Sequence, residues 1–268
     1  PVYQSAWDVA IDAADKANDP GNFTAFIGYE WTSNDQGANL HRVVIYRDGG
    51  DVASKSLPYT TLPPDGSPNP VDLWNELQRV SDNTGADLLA IAHNGNLSNG
   101  IMFPLVDSFS GRKVDRKYAE TRMKWEPLYE ITQIKGDGEA HPFLSPNDEF
   151  ADYETWDDAN LDGTEVKKPE MLQYEYARSA LKIGLQLEKK LGVNPFKFGM
   201  AAGRSPPMGT PLRYPIEAGS RVRVSSSRNF QPPKNRTVIR DPVVAYVSLR
   251  FIASKTASRV FSMAHPAA

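Results

Sequence analysis

The chain has 268 residues, 40% of them apolar and none of them cysteine, which is enough to bury a core and excludes disulfides, thiolate metal sites and cysteine nucleophiles. No stretch of about 18 apolar residues occurs, so no helical membrane span is expected. A formal charge of −3 favours neither nucleic acid nor membrane as partner, but it hides an asymmetry: residues 1–200 hold 19 Lys+Arg against 31 Asp+Glu, and residues 201–268 hold 11 against 2.

In chain order, residues 3–18 carry Trp7, Val9, Ala10, Ala13 and Ala14 at helical spacing, stopped by Asp19-Pro20-Gly21. Residues 23–31 read as a buried strand rich in aromatic and branched side chains, and 40–46 as a second, closed by Asp48-Gly49-Gly50. After a Pro-rich loop (58–70), residues 71–81 place Leu73, Trp74, Leu77 and Val80 on one helical face. A third buried strand spans 87–93, a helix is expected over 113–124, and a fourth strand over 128–134. Residues 145–170 are acidic and loop-like, 171–191 form the clearest helix with Gly192 as its stop, and a fifth strand starts at 196–200. Strands alternating with helices predict an α/β fold with parallel strands and ligands at their C-terminal ends.

Three side chains stand at strand ends: Glu30 after one apolar run, His41 at the start of the next, and His93 closing Leu88-Leu89-Ala90-Ile91-Ala92. Each alone reads as a salt-bridged carboxylate or a hydrogen-bonded structural histidine. Together they offer the mixed carboxylate/imidazole set that a divalent metal takes on one rim, and Zn, Mn or Fe all suit such a set. Asn94, Asn96 and Asn99 alternate with Gly95 and Gly100 and read equally as a turn or as a substrate-binding loop. The loop Lys135-Gly136-Asp137-Gly138-Glu139-Ala140-His141 reads either as a solvated turn or as an active-site loop. In the second reading Lys135 holds a substrate anion and His141 serves as ligand or proton donor. Arg42 is a second candidate to hold the anion, through its bidentate fork. No nucleotide-binding glycine fingerprint and no nucleophile elbow is present.

The motifs Gly28-Tyr29-Glu30-Trp31-Thr32, Asn39-Leu40-His41-Arg42, His93-Asn94-Gly95-Asn96-Leu97-Ser98-Asn99-Gly100, Trp125-Glu126-Pro127-Leu128, Gln133-Ile134-Lys135-Gly136-Asp137-Gly138-Glu139 and Asn194-Pro195-Phe196-Lys197-Phe198-Gly199 together resemble the family catalogued as domain of unknown function 3604. That family is grouped with the polymerase-and-histidinol-phosphatase (PHP) superfamily of metal-dependent phosphoesterases. The resemblance covers residues 1–200. It implies a distorted barrel of parallel strands with divalent metals at the strand C-termini, Glu30 as the metal-bridging carboxylate, and His41 and His93 as ligands. Glu130 and His141 are second choices. It also implies a hydrolase using metal-activated water on a small anionic ester, most readily a phosphoester; a non-catalytic metal- or ligand-binding module is the alternative.

The pattern departs from the family twice. The superfamily's opening His-x-His strand and its later Asp-His are not found here, so the (β/α)7 barrel is expected to be incomplete. After Met200 the family's Asp-x-His strand end is replaced by Ala201-Ala202-Gly203-Arg204. The implied organisation is a partial metallohydrolase domain over 1–200 and a basic, Pro/Arg-rich tail over 201–268. The tail is read as an aberrant, frame-shifted terminus that packs poorly, and the chain as weakly active at most. A nucleic-acid arm is disfavoured because no aromatic residues are interleaved with the basic ones. The start at Pro1-Val2-Tyr3-Gln4 is read as a processed or partial chain, so the compartment stays open, with periplasm or exterior following if a signal peptide was removed. The oligomeric state is not legible.

Overall fold

The computed structural model describes residues 2–202; the basic tail, including 242–252, the one stretch of it whose apolar pattern suits a strand, lies outside them. In chain order the elements are α1 (Val2–Ala17), β1 (Gly28–Trp31), β2 (Asn34–Asp35), β3 (Ala38–Asn39), β4 (Arg42–Tyr46), α2 (Gly50–Ala53), α3 (Pro70–Thr84), β5 (Leu88–Ala92), α4 (Arg116–Trp125), β6 (Leu128–Glu130), β7 (Thr132–Gln133), β8 (Gly136–Asp137), α5 (Ala177–Leu191) and β9 (Gly199–Ala201). No helix among the described residues is long and apolar enough to cross a membrane.

The helices end where local chemistry says they should. Asn69 caps α3 by accepting from the Val71 amide, Pro70 supplies the preset first helical φ, and Gly85 closes the helix with a left-handed φ of 76°. Asp115 caps α4 by accepting from the Tyr118 amide. The expected helix over 171–191 is instead a 3-10 turn (Leu172–Tyr174) followed by α5. A tertiary contact decides the break: the Ala177 and Arg178 amides, free donors at a helix start, bond the carbonyls of Gly138 (2.8 Å) and Glu139 (3.1 Å).

Five strands form one mixed sheet in the order β1-β4-β5-β6-β9, open at both edges among the described residues. The expectation of all-parallel strands fails at β4, which pairs antiparallel with both β1 and β5, while β5-β6 and β6-β9 are parallel. A parallel crossover needs about a dozen or more connecting residues. The link between β1 and β4 is too short for one and folds into the small β2-β3 ribbon. Reversing one strand leaves β1, β5, β6 and β9 pointing the same way and puts the start of β4 between the ends of β1 and β5. The expected strand over 128–134 also splits. Its first half stays in the sheet, and Thr132–Gln133 turns out to pair with Gly136–Asp137 as a hairpin, helped by Gly136 at φ 104°.

The two sheet faces differ. On one, Tyr29, Trp31, Val44, Tyr46, Leu88 and Ala90 pack with Trp7 and Ile11 of α1, Leu73, Trp74 and Leu77 of α3, and Trp125 of α4. Farther along the same face, Ala92 and Tyr129 pack with Phe103, Phe196 and the α5 residues Ala177, Ala180, Ile183 and Leu187. The other face carries the smaller cluster Ile45, Leu89 and Ile91, with Val43 and Leu128 against it. Alternation along each strand puts Glu30, His41, His93 and Glu130 on the side of this second cluster.

Candidate metal centre

Register brings the site together. Glu30 on β1 pairs with Val43 on β4, and Arg42 pairs with Ala92 on β5, so His41 and His93, one residue beyond those partners, meet above Glu30 at one end of the sheet. Glu30 Oε1 lies 2.8 Å from His41 Nδ1 and 3.5 Å from His93 Nε2, and the two imidazoles sit 5.7 Å apart edge to face. One ligand atom from each of the three residues falls within 4.8 Å of the others.

Both imidazoles are buried, at 5% exposure each, yet His41 Nδ1 and His93 Nε2, the nitrogens that face Glu30, have no hydrogen-bond partner. The 2.8 Å contact to the carboxylate lacks hydrogen-bond geometry. A buried polar atom left unpartnered costs about 1–3 kcal/mol, and two aimed at one carboxylate are what a cation would satisfy. The far side of each ring is held. His41 Nε2 lies 3.1 Å from Asn34 Oδ1, an acceptor, so the proton sits on Nε2 and the lone pair on Nδ1. His93 Nδ1 lies 3.3 Å from Asn94 Oδ1 and 3.2 Å from Gln133 Nε2; it donates to Asn94 in the tautomer that leaves the Nε2 lone pair free and accepts from Gln133 in the other. Asn39 fixes the turn itself, donating to the carbonyls of His93 (2.8 Å) and Asn94 (3.0 Å).

The charges agree with this arrangement. Burial alone would raise the Glu30 carboxyl, but the closeness and charge of the His41 and His93 imidazoles outweigh it and hold it well below the usual carboxylate range. Burial pulls the His41 imidazole down despite the facing carboxylate. The state that follows is a charged carboxylate with neutral His41, the form such groups must take to hold a metal. Glu130 lies behind this group, its Oε2 3.9 Å from His93 Nδ1 and 3.4 Å from the Gln133 amide, and burial raises its carboxyl.

The other sequence candidates divide. Lys135 sits at the tip of the β7-β8 hairpin, close enough for its charge to act on both His41 and Glu130. Its ammonium makes no hydrogen bond or ion pair among the described residues.

Arg42 is corrected outright. It lies on the opposite face of β4 from His41, 1% exposed, its Nε bonded to Glu126 Oε1 at 2.9 Å and its Nη1 to the Leu40 carbonyl. Glu126 also takes Trp74 Nε1 (2.9 Å) and Arg122 Nη2 (3.1 Å). This is a core ion network with no reach to a substrate.

His141 is also outside the metal group. Its Nδ1 accepts from the Phe143 amide (3.1 Å) and its Nε2 lies 2.7 Å from Asp157 Oδ2, so both nitrogens are spent on holding the loop.

The three asparagines are buried and brace the loop that follows His93. Asn94 contacts His93, and Asn94 and Asn99 take left-handed φ of 48° and 45°. Asn96, fully buried, donates to the carbonyls of Lys135 and Trp156. Asn99 accepts from Lys167 Nζ (3.1 Å), which pairs with Glu175 at 2.6 Å, where burial nevertheless pushes the carboxyl up to about 7. The residues missed as site members are Asn34, Asn39 and Gln133. Asn39 and Gln133 stood inside the family-like motifs, but only the folded register shows which imidazole or carbonyl each one serves.

A family model described as protein of unknown function, DUF3604, matches residues 1–210. No curated protein and no solved structure matches the chain. With the family match running over more than half of its 268 residues, this chain belongs to the DUF3604 family.

Proposed function

We propose that the protein is a metal-dependent hydrolase of a small anionic ester, with a phosphoester as the first choice. The observation that carries this reading is the pair of unpartnered imidazole nitrogens facing the Glu30 carboxylate. Three N/O ligands with an open position suit a catalytic metal better than a closed structural one. A Zn²⁺, Mn²⁺ or Fe ion held there would lower the pKa of a bound water towards about 7 and polarise the ester.

The chain's own groups do the rest. Glu30 contributes the negative charge that holds the cation, and His41 and His93 contribute neutral lone pairs. Asn34 and Asn94 keep those lone pairs aimed by binding the far side of each ring. Lys135, whose ammonium has no partner among the described residues and whose charge reaches His41, holds the substrate anion as a point charge. The resemblance of the motifs to the PHP superfamily supports the same chemistry and a barrel-type parent fold.

The described residues offer one three-ligand group, so we assign one metal and slow turnover to this chain. A metal-holding module without catalysis would use the same three ligands, and activity separates the two. With Mn²⁺ added, the chain should hydrolyse 4-nitrophenyl phosphate slowly, with activity removed by chelator and lost in His93→Ala. Metal binding without any turnover would support the non-catalytic module and defeat the hydrolase.

A further inference from the structure

The β7-β8 hairpin bends over the metal group. Gln133 Nε2 reaches His93 Nδ1 at 3.2 Å, and Lys135 follows two residues later at the hairpin tip. Gln133 and Gly136 are directly paired, so their side-chain positions share one face of the hairpin, the face that looks at His93. Gly136 has no side chain, and a Cβ built there would lie 2.7 Å from the Cβ of Trp156 and 2.9 Å from Asn96 Nδ2. The Trp156 side chain therefore starts, at its Cβ, in the space on the site-facing side that a larger residue at 136 would fill.

Three bonds fix this placement. Asn96 Nδ2 donates to the carbonyls of Lys135 (3.0 Å) and Trp156 (2.8 Å), and the Asp137 amide donates to the Glu154 carbonyl (3.0 Å). A buried amide thus ties a cation-bearing residue and an aromatic residue side by side, three residues along the chain from a metal ligand. Trp156 is nevertheless 41% exposed, and Ile134 at the hairpin tip is 57% exposed. A large aromatic side chain anchored by its backbone and left open beside a polar site has the composition of a ligand wall.

Building on the hydrolase reading above, we propose that the site takes esters whose anionic centre is attached to an aromatic ring, with Lys135 binding the anion, Trp156 stacking on the ring and Asn96 holding the two in register. Aryl esters are favoured over alkyl esters because the ring replaces water on an indole face, while the anion keeps its contact with the ammonium. Aromatic pairs contribute about 0.5–1.5 kcal/mol beyond area burial, or roughly threefold to tenfold in affinity.

The test is equilibrium binding to the Mn-loaded full chain of two matched pairs, phenylphosphonate against methylphosphonate and benzoate against acetate, none of which can be hydrolysed. The aromatic member of each pair should bind roughly threefold to tenfold tighter. That preference should vanish in Trp156→Leu and persist in Trp156→Phe, both checked for an unchanged melting temperature. Lys135→Ala should weaken all four ligands while leaving the ratios in place. Phosphonates that bind with a ratio untouched by Trp156→Leu overturn the aromatic wall and leave the phosphoester reading standing. Phosphonates that fail to bind, with a benzoate preference that Trp156→Leu removes, overturn the phosphoester reading and keep the wall. Binding of none of the four overturns both.

Discussion

Among the described residues two histidine-carboxylate clusters occur, and they differ in what the ring nitrogens do. At the sheet end, His41 and His93 face Glu30 with one nitrogen each unpartnered. In the 141–157 loop, His141 is paired with Asp157 at 2.7 Å and accepts the Phe143 amide on its other nitrogen. All three histidines are well covered and all three have a carboxylate beside them. Burial and an acidic neighbour therefore do not distinguish a metal ligand from a loop clamp. The count of satisfied ring nitrogens does, because a closed hydrogen-bond set leaves no lone pair for a cation.

The largest effect should come from the residue that adjoins His41 in sequence but lies on the other face of the sheet. Arg42→Ala strips Glu126 of one of its two guanidinium partners inside a core that water does not reach. Breaking a buried pair from one side costs about 3–5 kcal/mol. Denaturant unfolding should show a loss of that order, with metal affinity unchanged in whatever fraction stays folded. A fully stable Arg42→Ala with weakened substrate binding would return Arg42 to the site.

His141→Ala should cost about 1–3 kcal/mol, because it leaves the Phe143 amide and the Asp157 carboxylate without their partner. The same truncation at His41, measured without metal, should cost less in hydrogen bonding, since its Nδ1 has no bond to lose. Equal losses at the two positions would remove the distinction between the two clusters.

Asn34→Ala should weaken metal binding by about tenfold with little change in folding, since partners behind a metal ligand typically contribute about 10–100-fold. Unchanged affinity in a titration would show that His41 is oriented by packing alone.

The smallest effect is on pH. The folded His41 has its pKa below the ordinary 6.5, so the unfolded chain binds more protons than the folded one just below that pH. Its contribution to stability is fully present above about 6.5 and is lost as pH falls through the folded value. Glu30, also depressed, acts in the same direction, with its contribution present above its ordinary 4.5. Metal-free melting temperatures should therefore fall between pH 7 and 5, and His41→Gln should flatten part of that slope.

Much of this was legible before folding, and the exceptions share a cause. Helix α3 and strand β5 follow from their apolar spacing, and Glu30, His41 and His93 followed from their strand-end positions and from family-like motifs. The reversed β4 was not legible, because strand direction depends on the short 32–41 connection rather than on the strand's own residues. Arg42, offered as an anion holder for its bidentate fork, lies away from the site because the period of two in a strand sends it to the face opposite His41. The start of α5 depends on carbonyls near residue 138, and the role of Asn34 depends on a ribbon that only the paired fold creates. Short-range pattern carried the elements; long-range pairing decided what each polar side chain does.

The difference between the two clusters comes down to whether the sheet-end histidines are ligands and the loop histidine is not. Equilibrium titration of the metal-free chain with Mn²⁺ or Zn²⁺, read by calorimetry on wild type, His93→Ala and His141→Ala, tests it directly. The expected result is one bound ion in wild type, affinity reduced by about a hundredfold or more in His93→Ala, and affinity within about twofold of wild type in His141→Ala. Equal losses in both variants, or an undiminished site in His93→Ala, would contradict it.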